Sequence, residues 1–154
     1  MNVRDKRPYG GSLFPIRPLL MALWLLLAAT ASAQTVTLDA MLIHASDRPA
    51  ALDRRLDRIE YRLRRIFQFE HYGFMGETRT LLTLPADTHV ELGHGYTVAI
   101  NASARGNRIH ATMAWYHEDE RLLGTSVSQR RGVPAILGGP PHEEGVLILV
   151  LEFR

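Results

Sequence analysis

The chain has 154 residues, 46% of them apolar, with 18 basic and 16 acidic side chains and no cysteine. That length fits one domain with its own core, and the lack of cysteine excludes disulfide scaffolds and thiol chemistry. The first 33 residues hold four of the basic and one of the acidic side chains, so the other 121 carry 14 against 15, a net charge of −1, and all 14 are arginine.

The chain begins with Arg4, Lys6, Arg7 and Arg17, then the apolar run LLMALWLLLAA at 19–29, then TASA before Gln34. A basic region, an apolar core of about 7 to 15 residues and a small-x-small site are the order of a secretory signal peptide. Cleavage is expected between Ala33 and Gln34, leaving a domain over 34–154 that is periplasmic or secreted. Thr30 and Ser32 interrupt the run well short of the roughly 20 apolar residues of a spanning helix, so an inner-membrane anchor is the weaker alternative. No cysteine follows the core for lipidation, and Lys6-Arg7 is too little for a twin-arginine signal. An exported, near-neutral domain is a poor match for nucleic acid.

Residues 35–45, TVTLDAMLIHA, alternate with a period of two and predict a well-buried strand. Asp47 is placed to cap a helix and Pro49 to occupy its first turn, where a missing N–H costs nothing. That helix is expected to run to about Phe67. Leu52, Leu56, Ile59, Leu63 and Ile66 recur at spacings of 4, 3, 4 and 3, an apolar stripe that should pack on a sheet. Six arginines lie between residues 51 and 67. Arg54, Arg58, Arg62 and Arg65 share a face away from the stripe, while Glu60 and Arg64 stand at the favourable i, i+4 spacing. A solvated face is the bland reading of such a run. The functional one is a binding stripe for lipid head groups or an acidic partner, because guanidinium groups grip phosphate and carboxylate bidentately.

The rest of the chain is strand-like, broken at Pro-Ala-Asp, Arg-Gly-Asn, His-Glu-Asp-Glu, Arg-Gly and Gly-Gly-Pro-Pro. Gly138 and Gly139 read as a turn rather than a phosphate cradle, since no helix start follows them. The last strand, from Val146 to Phe153, has apolar residues on both faces and belongs at the centre of a sheet. His89, His94, His110 and His117, with Glu91, Glu118, Asp119 and Glu120, are the side chains able to ligate a metal, but no H-E-x-x-H or comparable ligand spacing occurs. The His117–Glu120 run reads as a hairpin turn. GTSVSQ lacks the final glycine of a nucleophile elbow, and Ser126 and Ser128 read as outward strand residues. No cofactor, metal or catalytic residue is assigned.

MLIHAS, LRRIFQFEHYGFM and the ending LGGPPHEEGVLILVLEF together resemble a group of small exported bacterial proteins of unassigned function, over nearly all of 34–154. That resemblance carries no catalytic residue. The expected fold is α+β, one amphipathic helix packed on a mainly antiparallel sheet or β-sandwich of about six to eight strands. The expected function is a non-catalytic binding or assembly module of the cell envelope, with an envelope protein or an anionic lipid surface as partner. The competing class is a small periplasmic hydrolase or metal-dependent enzyme, which needs histidines or carboxylates converging in a pocket.

Overall fold

A computed structural model describes residues 33–49 and 53–154. Eight strands follow one another in it: β1 (Gln34–Ser46), β2 (His71–Leu84), β3 (Ala86–Gly93), β4 (Tyr96–Arg105), β5 (Arg108–His117), β6 (Glu120–Arg130), β7 (Ala135–His142) and β8 (Gly145–Phe153). They make two antiparallel sheets, β2-β1-β8-β7 (sheet A) and β3-β4-β5-β6 (sheet B). Each strand lies beside its chain neighbours and β8 returns to pair with β1, so the strands follow the chain order around a ring that is open at two seams, β2/β3 and β6/β7.

Alternation fills the space between the sheets. Val36, Leu38, Ala40 and Leu42 of β1 face Val98, Ile100, Ala102, Met113 and Trp115 of sheet B, and Leu147, Leu149, Leu151 and Phe153 complete this core. The central position expected for the last strand is observed, since β8 lies between β1 and β7. The His117–Glu120 run is a tight hairpin turn, as expected, with Glu118 at φ 54.

Every strand that flanks a seam carries a bulge. In β2, Met75 is the extra residue between partners of Leu42 and Ile43, and in β3 Leu92 is extra between partners of Thr97 and Tyr96. At the other seam the irregularities are Leu122 in β6 and Gly139-Pro140 in β7. An extra residue bends a strand and raises its twist, which is how two sheets are brought together at their edges. Gly138–Pro141 therefore lie inside β7, not in the turn expected of them. Side-chain loss at Gly139 has a steric reason, since a Cβ there would stand 2.3 Å from the Trp115 ring.

The domain is mainly β rather than α+β. The expected continuous helix is a 3₁₀ turn (Arg54–Leu56) followed by a seven-residue helix α1 (Glu60–Ile66). Asp53 caps the turn by accepting the Arg55 N–H at 3.0 Å, whereas Asp47 accepts from the Glu70 N–H at 3.3 Å. A 3₁₀ turn advances three residues per turn instead of 3.6, so positions on either side of it do not keep one stripe. Leu56 and Leu63 are buried on the outer face of sheet A with Ile43, Ala45, Tyr72, Ile148 and Val150, but Ile59 is only half-buried and Ile66 is 55% exposed. Phe67 and Phe69, just past the helix, pack on the cluster in place of Ile66. Leu52 lies outside the described residues, as do residues 1–32 and with them nearly all of the expected leader. Among the described residues no helix is long and apolar enough to cross a membrane.

Candidate functional site

Outward-facing residues of sheet A change character along the strands. Near the β1–α1 connection they are apolar and covered by Leu56, Leu63 and Phe67. Toward the other end they are Asp39, Glu77, Arg79, Glu152 and Arg154, and between the two regions runs a groove of about 460 Å³. Met41, Ile59 and Val150 supply its apolar part. Its charged lining comprises Arg58, Arg62, Arg79 and Arg154 against Asp39, Glu77 and Glu152.

Two of these guanidinium groups are already committed. Arg79 donates to Asp39 Oδ1, and Asp39 raises its pKa above the ordinary arginine value. Arg154 donates to both oxygens of Glu152 at 2.8 and 2.9 Å and stands 3.4 Å from Asp39 Oδ2. Arg58 and Arg62 make no ion pair among the described residues and are exposed. An anion entering the groove therefore meets two uncommitted guanidinium groups and one uncommitted carboxylate, Glu77, beside an apolar floor.

The four arginines of the expected stripe are all exposed, but they do not act on one place. Arg58 and Arg62 line the groove; Arg54 sits in the 3₁₀ turn, and Arg65 lies over the Tyr61 ring at 5.6 Å. The other two arginines of the segment are used internally. Arg55 grips Asp53 bidentately, holding its carboxyl down to about 2, and covers the Phe74 ring at 3.7 Å. Arg64 donates to Glu60 at 2.7 Å, the i, i+4 pair expected from the spacing. Arg79, Arg154 and Asp39 escaped sequence reasoning, because their meeting depends on strand register; Asp39 lies opposite Arg79 and Glu152 across two ladders.

The histidines are also regrouped. His89 is exposed on β3, His94 is at φ 53 in the β3–β4 turn, and His110 is half-buried on the outer face of sheet B. His117 instead stacks on the Tyr96 ring at 4.4 Å, and the Tyr96 hydroxyl is 3.1 Å from His142 Nδ1. His142 is in turn joined to His44, whose Nε2 is 3.2 Å from the His142 carbonyl. Burial pushes the Tyr96 hydroxyl above the ordinary phenol range. The residues come from β1, β4, β5 and β7, and no spacing in the chain announces them. Among the described residues no three His, Asp or Glu side chains are grouped to hold a metal ion.

Fold and groove together define an eight-stranded, two-sheet antiparallel domain with a cationic, partly apolar groove on its helical side. No protein-family model matches the chain, and neither a curated protein nor a solved structure matches it.

Proposed function

We propose that this chain is an exported, non-catalytic binding module of the cell envelope that docks on an anionic lipid surface through the helical side of sheet A. The observation that carries this reading is the pair Arg58 and Arg62, free of ion pairs among the described residues, beside the Met41, Ile59 and Val150 floor. Three of the four exposed large hydrophobic residues among the described residues support it, because Tyr61 and Ile66 belong to α1 and Leu81 to the outer face of β2, all on this side of sheet A. Arginine beside exposed apolar side chains is what an anionic membrane interface selects, since charge attraction and apolar burial add.

Export is supported by the order of the leader, a basic region, an apolar core and a small-x-small site before Gln34. N-terminal sequencing of the protein recovered from the envelope or medium should therefore start at Gln34. Recovery of an intact Met1 would replace the exported module with an anchored one.

Lipid binding is read by co-sedimentation. The 34–154 protein should sediment with phosphatidylglycerol vesicles and not with phosphatidylcholine vesicles. Arg58→Gln/Arg62→Gln should reduce that binding at least tenfold while leaving the melting temperature unchanged, because both side chains are exposed. Binding should also fall as salt rises, since exposed charges are screened over about 8 Å at physiological ionic strength. Failure of the unaltered protein to sediment with phosphatidylglycerol vesicles would discard the lipid surface in favour of an acidic protein partner, and vesicle binding that survives the double change would leave Arg58 and Arg62 as solvated side chains. A periplasmic hydrolase has one observation in its favour, the Tyr96, His44, His117 and His142 group. Yet no serine or threonine hydroxyl and no carboxylate is hydrogen-bonded to those imidazoles among the described residues.

A further inference from the structure

Sheet B turns a second face to solvent, on the side away from α1. Inward residues of β4, β5 and β6 belong to the core, so the alternate ones form this outer face. Register sets them in rows. Arg105 lies opposite Arg108 and Arg108 opposite Arg130; the next row is Ser103, His110 and Ser128, and the next Asn101, Thr112 and Ser126.

Three arginines abreast on adjacent strands are a conflict for folding. Like charges directly opposite one another are destabilising in a sheet, and strands stand only about 4.8 Å apart. No carboxylate pairs with Arg105, Arg108 or Arg130 among the described residues. Asp87, the acid of this face nearest by register, lies opposite Asn101, four residues along β4 from Arg105 and so about 13 Å away. Arg131 follows directly and is exposed as well. The middle guanidinium is held in place, for Arg108 Nε donates to Ser128 Oγ at 2.9 Å and its Nη2 to the Ser128 carbonyl at 2.6 Å. Behind it the hydroxyls are aligned, with Thr112 Oγ1 and Ser126 Oγ 3.1 Å apart and Ser128 Oγ 3.5 Å from His110 Nε2.

We propose that the outer face of sheet B binds an anionic polysaccharide, its sulfate, phosphate or carboxylate groups lying along the Arg105–Arg108–Arg130 row and its hydroxyls on the Ser103–His110–Ser128 row. Guanidinium groups on neighbouring strands match charges that recur along a polymer; Arg105 and Arg130 offer planar, paired donors to an oxyanion, and Arg108, whose Nε and Nη2 donate to Ser128, adds its charge and its remaining N–H groups. Serine, threonine, asparagine and histidine side chains supply both donors and acceptors, which sugar hydroxyls require. Among the described residues, the exposed large hydrophobic side chains Tyr61, Ile66 and Leu81 lie away from these rows, and Val133 stands at their edge, lining one cleft with Arg108, Ser128 and Arg130. A bilayer therefore finds one aliphatic side chain beside the arginine row and no aromatic or large aliphatic anchor within it, and these rows hold no Phe, Tyr or Trp on which nucleic-acid bases stack.

This surface is independent of the groove on sheet A, and the two are separated by their variants. The test is affinity electrophoresis of the 34–154 protein through gels containing dextran sulfate or uncharged dextran. Retardation is expected in dextran sulfate alone, and Arg105→Gln/Arg130→Gln should weaken it at least tenfold. The melting temperature of that variant should stay level or rise, because a repulsion is relieved. Arg58→Gln/Arg62→Gln should be retarded like the unaltered protein. Equal retardation of the Arg105/Arg130 variant overturns the proposal, as does equal retardation in uncharged dextran. Full displacement by inorganic phosphate at matched charge would reduce the row to a simple ion site. Loss of vesicle rather than dextran sulfate binding in the same variant would assign the row to a bilayer. Should the double variant not fold, the salt dependence of the unaltered protein decides, and retardation indifferent to salt overturns the proposal.

Discussion

Leu56→Ala is expected to lower stability by about 2 to 5 kcal/mol, the range for truncating a large aliphatic side chain in a core. Leu56 is fully buried although it belongs to a three-residue 3₁₀ turn. Such a turn has little stability of its own, because helices this short are not sustained by their hydrogen bonds. Its place on sheet A is kept by the contact of Leu56 and Leu63 with Ile43, Tyr72, Ile148 and Val150. Ile66→Ala is the matched control and should stay within about 0.5 kcal/mol, as exposed positions do. Urea unfolding of both variants measures the difference. A loss below that same 0.5 kcal/mol for Leu56→Ala would mean that the helical segment is not held to the sheet as described.

Gly76→Ala should cost about 1 to 3 kcal/mol or more, the usual range for overpacking, although glycine is otherwise the poorer strand residue. A Cβ at Gly76 would stand 1.9 Å from the Leu92 carbonyl oxygen, a backbone atom that has no rotamer to escape into. This is the β2/β3 seam, where the Met75 and Leu92 bulges face each other and the Thr78 hydroxyl donates to the Glu91 carbonyl. Gly73, three residues earlier in β2, is the control. Its added Cβ would meet nothing closer than 3.6 Å, so Gly73→Ala should be neutral or mildly stabilising. Equal melting temperatures for the two alanine variants would show that the seam yields at no cost.

Alternation by itself determined much of this protein. The strand at 35–45, the central last strand, the hairpin at His117–Glu120 and the outward Ser126 and Ser128 all follow from a period of two and from turn residues, which are local properties. The Glu60–Arg64 pair follows equally from i, i+4 geometry. The fold expectation held for its six to eight antiparallel strands and fell short at its helix for a physical reason, since the 4, 3, 4, 3 spacing records which residues prefer burial but not whether the backbone between them stays helical. The Asp53 cap and the 3₁₀ turn restart the helix at Glu60, Leu56 and Leu63 keep their burial, and Ile66 loses its own to Phe67 and Phe69. What only the tertiary structure decided is every meeting of distant strands. Asp39 with Arg79 and Arg154, Tyr96 with His117 and His142, and the row Arg105, Arg108 and Arg130 all depend on register. Register is set by bulges, turn lengths and the shared core, and a shift of one residue would turn each of these side chains to the opposite face.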